Sequence, residues 1–130
     1  MRDIVLVGLG GFVGAVLRYI LSGVLQTEGE SFPVGTLFVN FTGTLILGFV
    51  VYSAEFLDFI SHHMGLFLTM GVLGAFTTMS TFGLEAFRMF ESGNYVSLAV
   101  YIVGTIALVF IGMFIARNSA HVLCSIHLEN

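Results

Sequence analysis

Four apolar stretches, each as long as a membrane-crossing helix, constrain this chain more than any other feature. They run over residues 4–22, 34–54, 64–87 and 95–116. About 20 consecutive apolar residues span the hydrocarbon core of a bilayer as a helix. Backbone amides inside lipid must pair within their own segment or within a closed barrel, and the strict alternation of barrel strands is missing here. The expectation is therefore an all-α membrane protein, a single integral domain over 1–130, with a polar tail at 118–130. Composition agrees. Of 130 residues 57% are hydrophobic and only 9% charged, against about 25% charged in a soluble domain. The joints between stretches are short and polar: "QTEGESFP", "EFLDFISHH" and "RMFESGN". The first stretch is longer than a signal-peptide core and no small-residue cleavage site follows, so it reads as a retained span.

The charges exclude several classes of function. There are four basic residues, Arg2, Arg18, Arg88 and Arg117, and the net charge is −4. Nucleic acid needs clustered cations against its phosphates, so it is not an expected partner. With the N-terminus on one side of the bilayer, Arg2 and Arg117 lie on that side and Arg18 and Arg88 toward the other. Orientation follows the asymmetry of basic residues in short loops, and two against two leaves both readings open. Either the chain inserts both ways up and pairs with its inverted copy, or other factors choose one orientation. Glycines such as Gly10, Gly14, Gly43, Gly48, Gly71, Gly74, Gly104 and Gly112 let membrane helices approach closely. Four helices enclose little interior, so assembly is expected.

Several motifs imitate chemistry without its context. "GLGGFVG" has dinucleotide-loop glycines but no preceding strand. "NFT" at Asn40 is a glycosylation sequon inside a span. His121, Cys124 and His127 share a three-residue spacing suited to a metal, yet three ligands on a solvated tail make a weak site. His62 and His63 fall in a joint. No histidine in a span stands ready to activate a serine, and the chain is not expected to be an enzyme.

What remains is polarity at membrane depth: Thr36, Asn40, Thr42 and Thr44 in the second span, "GAFTTMSTFG" in the third, Tyr101 and Thr105 in the fourth. Isolated hydroxyls back-bond to a carbonyl one turn earlier, which accounts for Thr42, Thr44 and Thr69. The run from Thr77 to Thr81 is different, because consecutive hydroxyl and β-branched residues loosen a helix. With Gly71 and Gly74 upstream, a break is expected between Gly74 and Thr78. Irregular backbone at this depth must be buried in protein or line a wet cavity. Freed carbonyls there ligate cations, while a half-helix N-terminus favours an anion. An uncharged lining of N–H and O–H groups and aromatic edges suits a small anion.

These segments resemble the small bacterial fluoride channels, the Fluc or CrcB family, over nearly the whole chain. "GGFVGAVLRY" is similar to the first-helix signature ending in the family arginine, Arg18, to which the resemblance gives a structural role. "GTLFVNFTG" carries the second-helix asparagine, Asn40. "GAFTTMSTFGLE" is similar to the third-helix break and pore motif, and "GNY" with Tyr101 to the fourth helix. The resemblance implies an antiparallel, dual-topology homodimer with two fluoride pores. It implies a central Na+ held by the backbone carbonyls of Gly74 and Thr77 from both subunits. It implies a fluoride pathway along Asn40, Ser80, Thr81, Phe82 and Tyr101, joined by Met79, Glu85 and Thr105. Two positions depart from the pattern: Met79 stands where the first pore phenylalanine is usual, and Gly83 where a hydroxyl often follows. A thioether is flexible enough to serve as a station; alternatively Met79 fills space beside the pore. Glu85 either continues the hydroxyl track or marks the helix end.

The expected function is passive export of fluoride across the inner cell membrane, conferring fluoride resistance. The competing class is a four-helix, dual-topology multidrug exporter, which needs a carboxylate within the first helix. Asp3, at its very end, is the only acid there. A structural membrane subunit would not need the hydroxyl run.

Overall fold

A computed structural model describes residues 1–26, 32–57 and 60–128. Every element is helical: α1 (Arg2–Leu25), α2 (Val34–Leu57), α3 (62–76), α4 (Met79–Glu91) and α5 (Tyr95–Leu128). Among the described residues four helical spans are long and apolar enough to cross a membrane, with α3 and α4 together forming the third. The chain is thus a multi-pass membrane protein. The joint residues 27–31, Asp58 and Phe59, and the last two residues of the tail lie outside the described residues.

The helix ends follow local chemistry. Pro33 opens α2, its carbonyl accepting from Leu37 N–H at 3.2 Å, as suits a residue with fixed φ and no donor. The Ser61 hydroxyl accepts from Met64 N–H at the start of α3. At the end of α4, Gly93 adopts φ 73°. Its N–H donates to Phe90 O and the Asn94 N–H to Met89 O, the paired closure that a left-handed glycine permits. Asn94 then caps α5 by accepting from Ser97 N–H.

The fourth span departs from the sequence expectation. The tail expected from 118 onward is part of α5, which runs unbroken to Leu128. No glycine or proline stops it after Gly112. Its inner face stays packed: Ala116 and Ala120 are buried, the Cys124 thiol faces Phe56 O at 3.8 Å, and His121 meets the Phe56 ring edge-on. At about 1.5 Å per residue, its 34 residues outreach a hydrocarbon core of about 30 Å. His63 is not simply solvated either; its Nδ1 lies 3.0 Å from Asp3 Oδ1, both side chains about half exposed.

Two seams hold the protomer. In one, α2 runs along α5, with Gly48 against Met113 and Ala116 and Gly112 against Phe41. In the other, α1 lies on α3. A Cβ on Gly10 would stand 2.9 Å from Gly71 Cα, and one on Gly14 would collide with the Val72 carbonyl. Between Leu66 and Leu73, α3 is π-helical. The Gly74 N–H reaches both Gly71 O and Thr69 O, so the wider turn brings the glycine backbone against α1.

Candidate functional site: a polar route to the helix break

The third span breaks where the hydroxyl run begins. Helical geometry ends at Phe76; Thr77 is extended (φ −77°, ψ 155°), as is Thr78 (φ −146°, ψ 121°). Two side chains take over the backbone pairing. The Thr78 N–H donates to Asn40 Oδ1 at 2.8 Å, and Asn40 Nδ2 donates to Thr78 O at 3.0 Å. The Thr78 hydroxyl caps α4 by accepting from Thr81 N–H at 3.2 Å and lies 3.0 Å from Thr81 Oγ1. One consequence falls on the carbonyls. The donor one turn after Gly74 is Thr78 N–H, now given to Asn40. The donor one turn after Thr77 is Thr81 N–H, now given to the Thr78 hydroxyl. Both carbonyls expected at the break are thereby released from the helical ladder, and Gly74 is exposed on the protomer surface.

A second polar cluster lies beyond Thr81. Glu85 accepts from the Thr36 hydroxyl at 2.9 Å through Oε1 and from the Tyr101 hydroxyl at 2.6 Å through Oε2. Tyr101 is fully buried, its ring edge-on to Phe32 and 5.0 Å from Phe82. Both carboxylate oxygens are therefore satisfied by hydroxyl donors inside the protein.

Separate cavities lie along both clusters. The largest, about 590 Å³, is lined by Asn40, Thr78, Met79, Phe82 and Thr105 among others. The next, about 200 Å³, shares Thr78 and adds Arg18, Ser22, Thr36 and Thr81. A third, about 220 Å³, shares Thr36 and Thr81 and reaches Glu85. The fourth, about 370 Å³, shares Glu85 and opens among Arg88, Ser92 and Asn94 at the turn before α5. The four share lining residues from the helix break to the polar end of the fold. Along them the charged side chains are Arg18, Glu85 and Arg88; the rest of the polar lining is hydroxyl and amide.

The expected site residues stand in different relations to these cavities. Thr105 lines the large cavity, and its hydroxyl is buried with no partner among the described residues. Phe82 lines it too, and Met79 stands in it 78% exposed. Thr81 and Glu85 line the smaller cavities. Asn40 borders the large cavity while clamping the break; an amide carries two N–H donors, and one is spent on Thr78. Tyr101 lines none of the four cavities and acts on the route through Glu85. Ser80 also lines none of them and sits 3.4 Å from the Thr78 hydroxyl. Arg18 faces the second cavity, and among the described residues its guanidinium makes no ion pair or hydrogen bond. Sequence reasoning named Thr78 as the bound of the break but missed its role as the hub, although a threonine just ahead of a helical stretch is a capping signal. It noted Thr36 as polar but did not pair it with Glu85, since nothing in one sequence joins positions 49 apart.

Comparison with known proteins gives a consistent result. The chain is 45% identical over 120 residues to the fluoride-specific ion channel FluC 1 of Methanosarcina acetivorans, covering 92% of each chain. It is 40% identical over 120 residues to FluC 3 of Methanosarcina barkeri, covering 92% of this chain and 91% of that one. It is 43% identical over 121 residues to the fluoride-specific ion channel FluC of Rhizobium meliloti, covering 88% of this chain and 92% of that protein. The family described as CrcB-like protein, Camphor Resistance (CrcB), matches residues 5–117, a stretch that holds the glycine seam, the clamped break and every residue of the polar route, and so this chain belongs to the CrcB-like family.

Proposed function

We propose that this chain is a passive fluoride-selective channel, not an enzyme, that lets fluoride leave the cytoplasm across the inner cell membrane. The observation that carries the reading is the series of cavities, each sharing lining residues with the next, from the polar end of the fold to the break. Its lining offers hydroxyl, amide and guanidinium donors with a single carboxylate. Fluoride holds its water strongly, so a pore must replace that water with donors along the way. The Thr105 hydroxyl, buried with no partner among the described residues, is such a donor, and the edge of Phe82 supplies a weak positive field. The printed names of the relatives point to the same ion. Fluoride efflux from liposomes holding the purified protein, with chloride as control, tests it; equal release of both ions, or of neither, would refute it. The multidrug-exporter alternative is disfavoured because Asp3, the acid of α1, is about half exposed at the helix end beside His63.

The assembly proposed is an antiparallel, dual-topology homodimer. Balanced arginines support it, as does the exposure of Gly74 and Met79 on one protomer. In a Cys124→Ser background, Ser92→Cys should be labelled by an impermeant reagent from both sides of the membrane. Labelling from one side alone would end the claim. A Na+ ion fits the break. The carbonyls of Gly74 and Thr77 have lost their helical donors, and two protomers would supply four such oxygens. Bound there, Na+ would supply fixed positive charge that keeps the broken backbones together. Replacing Na+ by K+ should lower dimer stability in detergent, and identical stability in both would contradict the site.

A further inference from the structure

We propose that Arg88 is the charge that keeps the mouth of the polar route open to anions; the proposal rests on the channel reading above. The mouth is the cavity of about 370 Å³ lined by Glu85, Arg88, Met89, Ser92 and Asn94. Much around it repels an anion. Glu85 contributes a carboxylate held by Thr36 and Tyr101. The C-terminus of α4 ends at Ser92, and the last carbonyls of a helix carry about half a negative charge. Glu91 is exposed in the same last turn. On the other side, α5 starts there and its N-terminal N–H groups face the turn, but one of them is already taken by Asn94. Arg88 is the one cation lining this cavity among the described residues. It stands three residues after Glu85 on α4, so the two share a face, and it lies in the last turn, where a cation offsets the helix terminus. Its side chain is exposed. It therefore acts by potential at the entrance and leaves the packed interior alone. Such a field concentrates an ion at the entrance and fades with salt.

The experiment is fluoride efflux from liposomes with Arg88→Gln, Arg88→Lys and Arg88→Glu, at two strengths of an impermeant sodium salt. The Debye length is about 30 Å at about 0.01 M and about 3 Å at about 1 M. At low salt Arg88→Gln should conduct about threefold slower than the natural chain and Arg88→Glu about tenfold slower. Both should approach the natural rate at high salt, and Arg88→Lys should match it throughout. The sign separates charge from structure, because Arg88→Glu should speed up with salt while the natural chain slows. If all three variants keep the natural rate and salt slope, or if Arg88→Gln loses flux equally at both strengths, the proposal fails. The natural chain failing to release fluoride would instead overturn the channel reading.

Discussion

The two halves of the third span, one largely apolar and one carrying Ser80, Thr81, Glu85, Arg88 and Glu91, do opposite work. Upstream of the break, α3 presents glycine backbone to α1, and its one internal threonine, Thr69, returns its hydroxyl to Gly65 O at 2.8 Å. Downstream, Thr81 and Glu85 line cavities, and Glu85 is held by hydroxyls of α2 and α5. The halves differ in composition, and they differ as well in where each polar side chain finds its partner. Upstream polarity is consumed within the turn that carries it. At the break the Thr77 hydroxyl still returns to Leu73 O at 3.0 Å, whereas Thr78 bonds Asn40 through its backbone, and farther along α4 Glu85 reaches hydroxyls of α2 and α5. A break in a membrane helix thus converts inert polarity into usable polarity.

The largest effect should come from the upstream half. Gly14→Val places a branched side chain where even a Cβ would collide with the Val72 carbonyl. Backbone on both sides cannot yield by a rotamer change, so overpacking should cost at least about 1–3 kcal/mol. The yield of monodisperse protein should collapse. Gly8→Ala, with nothing within 4 Å, is the control, and equal yields of the two would show that the seam is not the close contact described.

Next in size is a change that spares the fold and stops the ion. Phe82→Ile removes the ring edge from the large cavity at similar bulk, and fluoride release should fall nearly to background with normal expression. Met79 sharpens the point. If the thioether serves as a station, Met79→Phe should conduct and Met79→Val should not, because a stiff, short side chain cannot reach the path. Equal rates for methionine, phenylalanine and valine at 79 would make the residue filler.

Asn40→Ala probes the boundary between the halves. It removes both clamp bonds to Thr78 and leaves a buried N–H and carbonyl unpaired, each worth about 1–3 kcal/mol. Flux should drop about tenfold or more, and the protein should also unfold at lower temperature in detergent. A loss of flux with unchanged thermal stability would return Asn40 to the role of simple pore donor.

How much of this was legible in the sequence follows from the range of each interaction. The four spans were, because hydropathy over 20 residues is a local sum. The break was, because glycine and clustered hydroxyls act on their own turn. The length of α5 was not: charged and polar residues after Ala116 mark the end of the apolar stretch, whereas the helix continues because Ala120 and Cys124 still find α2 beside them. The π-helical turn of α3 was not; its backbone packs against Gly10 and Gly14 of another helix, a contact between positions far apart in the chain. Of the site, the residue types were visible and their partners were not. Glu85 could be named as polar, but its hold by Thr36 and Tyr101 exists only once α2, α4 and α5 are packed.

The smallest effects test the comparison most directly, because one substitution can be made both at the internal hydroxyl of the upstream half and at the α2 hydroxyl that holds Glu85 of the downstream half. Thr69→Val and Thr36→Val each trade a hydroxyl for a methyl at equal shape. At Thr69 the lost bond is a return to a carbonyl that still accepts from the helical ladder, and such bonds add little. Stability and flux should stay within error, the stability within about 0.5 kcal/mol. At Thr36 the lost bond leaves Glu85 Oε1 without its donor in a half-buried setting, and a hydrogen bond to a charged acceptor is worth about 1.5–3 kcal/mol. The carboxylate should then swing or recruit water, and fluoride release should slow severalfold while the fold persists. Measured together in the same liposomes, the pair gives a ratio rather than two absolute rates. A ratio near one would mean that partner choice across the break does not matter and that the two halves differ only in sequence; a slower Thr36→Val would place the functional difference in where the hydroxyl points.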